Sequence, residues 1–269
     1  MTFLAVLCLL AAPVPSSADR PFILLQSTTS TQNSGLLDAI LPQFTALSGL
    51  EIRVVAVGTG QALRNAQNGD GDVVLVHSRL AEEAFVKAGY GVARQDVMYN
   101  DFVIIGPESD PAGIAGAATP FDALKRIAEK RALFVSRGDE SGTHQAELRL
   151  WAETGEMPSG PWYREVGAGM GTTINITVGM AAYTLTDRAT WTAFGNQSDL
   201  RILYENHPSL FNPYGVIVVN PERHPHVKVE AAQDFVDWLV GPGGQAAIAG
   251  YRVDGQQVFF PNADAQSGS

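Results

Sequence analysis

Cysteine is almost absent from this chain: among 269 residues Cys8 alone carries a thiol, and it lies in a segment that reads as a removable leader. The rest can form no disulfide and perform no thiolate chemistry. Basic runs are absent as well. The 18 Lys and Arg are outnumbered by 28 Asp and Glu, giving a formal charge of -10, and without a basic stripe such a chain is not built to hold a nucleic-acid backbone or an anionic membrane. No apolar run approaches the roughly 18 residues that a membrane-crossing helix needs. Hydrolase signatures are missing too. Gly138 to Gly142 reads GDESG, which lacks the centred serine of Gly-x-Ser-x-Gly and carries one residue too many for Gly-Asp-Ser-Gly. His77, His144, His207, His224 and His226 are scattered, and the pair flanking a proline at His224 and His226 reads as solvated surface rather than as a metal site. An exported phosphatase or esterase is therefore a remote alternative, one that would have to turn over a chromogenic ester. No resident metal and no cofactor is expected.

What is present is an ordinary globular composition, 45% hydrophobic and 9% aromatic, which excludes disorder and collagen-like repeats. The apolar run Phe3 to Val14, followed by small residues before Asp19, reads as a secretory signal peptide over residues 1–18. The Lys or Arg that usually precedes such a run is missing, consistent with a start codon further upstream. Export of an acidic chain without disulfides points to a bacterial periplasm, and the protein is expected to be a monomer.

Runs rich in Val, Ile and Phe recur at Phe22 to Leu25, Ile52 to Val57, Val73 to Val76, Phe102 to Ile105, Leu133 to Val135, Ile202 to Tyr204 and Val216 to Val219. They read as buried strands. Amphipathic stretches alternate with them, at Gly35 to Ser48, Gln61 to Asn68, Leu80 to Gly89, Phe121 to Lys130, Thr143 to Thr154 and Glu230 to Val240. That alternation predicts α/β layers with parallel sheets. No linker interrupts the pattern, so any lobe boundary is a strand crossover, best placed at Asn100 to Ile105 and Asn212 to Val218. Two crossings give one lobe from residues 19–103 and 214–269 and a second from residues 104–213, with a cleft between them.

Four strand-to-helix junctions carry the candidate chemistry. At the first, Ser27, Thr28, Thr29, Ser30 and Thr31 place five hydroxyls in a row, more than a helix cap requires, beside backbone N–H groups at the positive end of a helix dipole. Capping and anion binding both remain open for them. The second junction contains Gly58, Thr59 and Gly60, a tight turn that lets backbone approach a ligand but only a fragment of a dinucleotide fingerprint. The third contains His77 and Ser78, polar residues that serve either as caps or as contacts. The fourth, SRGDESGTH from Ser136 to His144, offers the planar fork of Arg137, with Asp139 able to hold it, and the donors of Ser141, Gly142 and Thr143. A further glycine-rich helix opening, GAGMGTT, spans Gly167 to Thr173.

Taken together, STTSTQNSGLL, VAVGTGQAL, VMYNDFVIIGP, SRGDESGTH, GAGMG, AYTLTDR and NPYGVIVVNP resemble the tungstate-binding TupA type of periplasmic solute-binding protein, which feeds an ABC transporter. The resemblance runs from about Phe22 to Pro261. It implies a type II periplasmic-binding-protein fold, two α/β lobes joined by two hinge strands with a ligand cleft between them. It also implies an oxyanion, tungstate or molybdate, held by Thr28, Thr29 and Ser30, by Thr59, and by Arg137, Ser141, Gly142 and Thr143, with an ABC permease as partner. Tyr183, by analogy with molybdate binders, is either a further contact or a core residue. Phosphate is the runner-up ligand: it carries a proton at neutral pH and benefits from a carboxylate acceptor, but Ser78 is followed by Arg79 rather than by an aspartate. The same residues could also serve a sulfate-type receptor or a periplasmic sensor domain; the neighbouring genes would identify a sensor.

The charge of -10 does not oppose capture of a dianion, because exposed carboxylates are screened beyond about 8 to 10 Å at physiological salt while donors in a closed cleft act at contact distance. Affinity for the ion is accordingly expected to change by less than about tenfold between low and moderate salt, as read by titration calorimetry at the two ionic strengths.

Overall fold

The computed structural model describes residues 20–263. The predicted leader and Cys8 lie outside the described residues. In chain order the elements are β1 (Phe22–Thr28), α1 (Thr29–Asn33), α2 (Leu36–Ser48), β2 (Glu51–Val57), α3 (Thr59–Gln67), β3 (Val73–Val76), α4 (Arg79–Lys87), β4 (Gly91–Pro107), α5 (Pro120–Lys130), β5 (Phe134–Ser136), α6 (Gly142–Glu153), β6 (Tyr163–Glu165), α7 (Met170–Met180), β7 (Thr184–Asp187), α8 (Arg188–Ala193), β8 (Leu200–Tyr204), β9 (Phe211–Val219), α9 (Val229–Val240), α10 (Pro242–Gly250) and β10 (Phe260–Pro261). Local chemistry accounts for most of these. α2 buries Leu36, Leu37, Ile40, Leu41 and Phe44 along one stripe and stops at Gly49, whose φ of 74° suits a residue without Cβ. α5 opens on Thr119, whose Oγ1 accepts from Asp122 N, with Pro120 in the first turn where its missing N–H costs nothing. No described helix is long and apolar enough to cross a membrane.

The larger sheet runs in the order β10-β4-β9-β3-β1-β2. β1 lies parallel to both β2 and β3, whereas β3 and β9, β9 and β4, and β4 and β10 pair antiparallel. The expectation of parallel sheets is therefore corrected to mixed ones. β4 carries the chain out of the first lobe and β9 carries it back, so two strands that lie side by side must run in opposite directions. β4 is unusually long: Gly91 to Asp101 pair with β9, while Phe102 to Pro107 pair with β7 and β8. One strand thus belongs to two sheets, and the partner changes between Asp101 and Phe102. The second lobe completes its framework with β5 parallel to β6 and a bridge from Phe134 to Tyr183.

Each lobe has its own packing. In the first, Ile23, Leu25, Leu75, Val216 and Phe235 meet the buried face of α2, and Val74, Val76 and Ile217 meet Ala62, Leu63 and Phe85 on the other side of the sheet. In the second, Phe102 and Ile104 pack with Leu124, Phe134, Trp151 and Leu185, while Val103 and Ile105 face Met170, Ile174 and Trp191. Alternate residues of β4 thus feed opposite faces of the same sheet, as a period of two requires. Because β1, β2 and β3 are parallel, their C-terminal ends share one edge, the place where open α/β sheets hold ligands.

Tyr183 belongs to this framework. Its phenol donates to Asp110 Oδ1 at 2.8 Å and accepts from Ala112 N at 2.9 Å, so it ties a loop of the second lobe to the sheet and serves as a core residue rather than a ligand contact. A Cβ at Gly106 would come within 2.6 Å of the Tyr183 ring, and a ring pinned at its hydroxyl cannot retreat. Gly106→Ala is expected to cost roughly 1 to 3 kcal/mol through overpacking. A thermal melt should show a fall of several degrees, at about 2 to 4 °C per kcal/mol for a chain of this size.

Candidate functional site

The edge shared by β1, β2 and β3 faces the loops that leave β5, β6 and β7, and the two sets of junctions touch. On the first lobe, Thr28 caps α1: its Oγ1 accepts from Thr31 N at 3.2 Å and lies 2.6 Å from Thr31 Oγ1 and 3.1 Å from Ser30 Oγ. The extra hydroxyls of the row do more than cap, because the chain forms the short helix α1 where the sequence pattern predicts a longer loop. Ser30 reaches back to His77 Nε2 at 3.1 Å. Thr29 is half-buried, and its Oγ1 accepts from Arg137 Nη2 of the opposite lobe at 3.5 Å. Gly58 precedes α3 with no side-chain cap, so the first N–H groups of that helix stay available to an acceptor. Ser78 gives its backbone N–H to Glu82 Oε1 at 2.6 Å and its hydroxyl to Gln145 Oε1 on the opposite lobe at 2.5 Å.

On the second lobe, Arg137 is 2% exposed, among the largest fully buried side chains of the molecule. Its Nη2 donates to Asp139 Oδ2 at 2.6 Å and its Nε to Ala168 O at 3.3 Å. Burial pulls the guanidinium below its ordinary value while the charges of Asp139 and Asp187 pull it back up, and it remains a cation at any physiological pH. Asp139 Oδ1 accepts from Ser141 N at 3.2 Å. Ser141 caps α6 by accepting from His144 N, and Gly142 N donates to Thr59 Oγ1 across the cleft at 3.1 Å. Thr143 Oγ1 and Ser136 Oγ are buried with no hydrogen-bond partner among the described residues. α7 opens on Gly169, again without a side-chain cap, 3.7 Å from Thr29 Oγ1 at the position a Cβ would take.

The nine sequence-selected residues thus lie along one seam between the lobes, but in different roles. Thr29, Thr59, Ser78, Arg137 and Gly142 bond or reach across it, whereas Thr28 and Ser141 spend their side-chain oxygens on helix caps. Four helices of at least 9 residues open on the seam, α3 and α4 from one side and α6 and α7 from the other. Their N-termini and one buried guanidinium make it electropositive in a chain of net charge -10. Such an arrangement can bind an anion by hydrogen bonds. Among the described residues no group of three or more His, Cys, Asp or Glu is placed to hold a metal ion, and His224 and His226 instead lie within hydrogen-bond distance of the Gln67 and Gly69 carbonyls.

Residue-by-residue reading missed the second rank of polar groups. Asp187, fully buried, caps α8 through Thr190 N at 2.8 Å, and Asn100 and Asn212 join the two hinge strands at 2.6 Å. The available signal was an asparagine in the otherwise apolar strand β9; Asn100 lies in a strand that also carries Arg94, Asp96 and Asp101 and does not stand out there.

Residues 13–242 match the PBP superfamily domain. The tungstate-binding protein TupA of Peptoclostridium acidaminophilum is 47% identical over 246 residues, covering 90% of this chain and 86% of that one. A putative ABC transporter anion-binding protein of Haloferax volcanii is 47% identical over 244 residues, 89% of this chain and 71% of its own. Among solved structures, the tungstate ABC transporter from Geobacter sulfurreducens is 51% identical, with a TM-score of 0.80 over 88% of this chain and 100% of that one.

Gly142 decides how closely the lobes meet. A Cβ there would stand 2.8 Å from the His77 ring and 3.1 Å from its backbone oxygen, and neither can yield without moving β3. Gly142→Ala should leave each lobe folded yet hold the seam open, which small-angle scattering would read as a larger radius of gyration than that of the unaltered protein when both are saturated with ligand.

Proposed function

Because the chain belongs to the tungstate-binding TupA family of the PBP superfamily, we propose that it captures tungstate as a tetrahedral oxyanion in the seam between its lobes and delivers it to an ABC transporter. It acts by binding and is not an enzyme. The observation that carries this reading is Arg137, a guanidinium buried between two lobes and surrounded by uncapped helix N-termini. A cation withdrawn from water needs an anionic partner, and Asp139 occupies only part of the fork. Thr28, Thr29, Ser30, Thr59, Ser78, Ser141, Gly142 and Thr143 form the rest of the proposed site. Thr29 is the first-lobe hydroxyl that faces Arg137 directly.

The same reading includes molybdate, a dianion of nearly the same size and charge. It disfavours phosphate on one specific ground: Asp139 is already paired with Arg137 and accepts from Ser141 N, so that carboxylate is committed to holding the guanidinium rather than free to face a ligand proton. In this reading the protein works in the periplasm as a monomer. Residues 19–103 and 214–269 form one lobe and residues 104–213 the other, a division supported by the change of partner within β4.

Ser30, His77 and Asn212 lie in the order of a nucleophile, a base and its orienting group. This is not a hydrolytic set. Burial and the charge of Arg137 pull the His77 imidazole down to about 4, and a base that weak removes few protons at neutral pH.

Arg137→Ala removes a charge-assisted fork from a desolvated dianion, a change that costs about 2 to 5 kcal/mol. Affinity for tungstate should fall by roughly 30-fold to several thousandfold, and Arg137→Lys should recover only part of it, since a point charge cannot make two parallel hydrogen bonds. Calorimetric titration with tungstate, beside a circular-dichroism melt, checks both. Near-native affinity in a folded Arg137→Ala variant would remove Arg137 from the site. For the unaltered protein, saturation with tungstate should raise the melting temperature and shrink the scattering profile.

A further inference from the structure

One continuous hydrogen-bond chain leads from the proposed ion site through both hinge strands to a buried carboxylate. Thr28 Oγ1 lies 3.1 Å from Ser30 Oγ, Ser30 Oγ 3.1 Å from His77 Nε2, and His77 Nδ1 3.1 Å from Asn212 Oδ1. Asn212 Nδ2 donates to Asn100 Oδ1 at 2.6 Å, and Asn100 Nδ2 to Asp187 Oδ1 at 3.4 Å. Every member is buried. Each internal link holds one hydrogen, so the chain has a direction, and the direction is set at its ends. An ionised Asp187 only accepts. The Asn100 and Asn212 amides then point their N–H groups toward it, His77 carries its hydrogen on Nδ1, and the single hydrogen of Ser30 is spent on His77 Nε2. In that state the Ser30 oxygen offers lone pairs, not a hydrogen, to the seam.

Tungstate also only accepts. With an acceptor at both ends the chain is one hydrogen short, and one proton added at Asp187 removes the conflict. We propose that Asp187 takes up a proton when tungstate binds, and that the chain then reverses so that Ser30 donates its hydrogen to the ion. This rests on the reading of the seam as the tungstate site. The proton comes from water while the lobes are open and ends as Asp187 Oδ1–H, donating to Asn100 Oδ1. Both amides turn over, and His77 loses its Nδ1 hydrogen to solvent and gains one at Nε2, with no change of charge. Asp187 and His77 are positioning residues in this scheme; neither touches the ion.

The surroundings of Asp187 favour the uptake. Its Oδ2 has no hydrogen-bond partner among the described residues, and burial pushes the carboxyl above its ordinary value. Two charged or titratable groups are coupled to it: Arg137, which holds it down, and the phenol of Tyr214, itself pushed up by burial and by Asp187. Arg188, next in sequence, is committed to Asp101 and Glu205 at 2.6 Å. His77 is held neutral by burial, Arg137 and Arg149. A dianion beside Arg137 offsets the charge that keeps Asp187 ionised and adds repulsion of its own, so both effects act in one direction.

The test is calorimetric titration of ligand-stripped protein with tungstate, in buffers of different ionisation enthalpy, from mildly acidic to mildly alkaline pH. Because the carboxyl is raised in the complex, affinity should fall as pH rises between the free and liganded values, by up to about tenfold per pH unit. Up to one proton should be taken up per ion. Asp187→Asn keeps a cap for α8 and cannot titrate, so it should bind with no uptake and little pH dependence. In nitrogen-15 spectra, assigned with His77→Gln, the two ring nitrogens of His77 should exchange roles on adding tungstate, a change that a merely structural histidine would not show. Binding without uptake at any pH, uptake that persists in Asp187→Asn, or an unchanged His77 tautomer would overturn the proposal. Absence of both binding heat and a melting shift would instead overturn the assignment of tungstate to this protein.

Discussion

A guanidinium withdrawn from water is the constraint around which the rest of the molecule is arranged. Arg137 is 2% exposed, and a cation in that position is tolerable only where acceptors stand at contact distance. One is supplied locally by Asp139 and one by the Ala168 carbonyl; the hydroxyl of Thr29 comes from the other lobe. The last of these links a single side chain to the relative position of the two lobes. The proposed site is therefore complete only when the lobes meet.

The hinge makes this possible at small cost. β4 and β9 lie side by side and run in opposite directions, and β4 then passes into a second sheet without a break. A continuous strand can bend about such a point while most of the hydrophobic packing of each lobe stays intact: the core formed with Phe235 and the core formed with Trp151 share no buried residue, and Ala189 of α8 is the second-lobe residue that packs with the first. The polar residues at the crossing are not free to point anywhere. Asn100 and Asn212 bond one strand to the other and connect His77 of the first lobe to Asp187 of the second. The contact between the hinge strands and the hydrogen-bond chain that leads to the proposed site thus run through the same few atoms.

Net charge and local field point in opposite directions here. In a chain with 28 acidic and 18 basic side chains, the donors of the proposed site are fixed dipoles: helix openings at Gly58 and Gly169, hydroxyls at Thr29 and Thr59, and one buried fork. Dipoles of this kind act over a single turn, so they impose little on distant surface and leave the exterior acidic.

The identity of the elements and the placement of the proposed donors at strand-to-helix junctions were legible in the sequence, because both depend on neighbours in the chain. The strands around Leu25, Val54, Val74 and Ile217 and the helical stripe of α2 are set by apolar periodicity, and the hydroxyl row, the Gly58 turn and the Arg137 loop each sit where a strand gives way to a helix. The tertiary structure alone decided what depends on distant pairings. It set the antiparallel direction of β9 within a sheet expected to be parallel, the length of β4, and the helical form of Thr29 to Asn33. Tyr183 could serve a site or a core with equal local logic, and the partners at Asp110 and Ala112 settled it. Asn100, Asn212 and Asp187 are separated by up to 112 residues yet meet in one hydrogen-bond chain; nothing local marks them as a set, because a hydrogen bond is specified by the position of both its partners and the sequence around each shows only one.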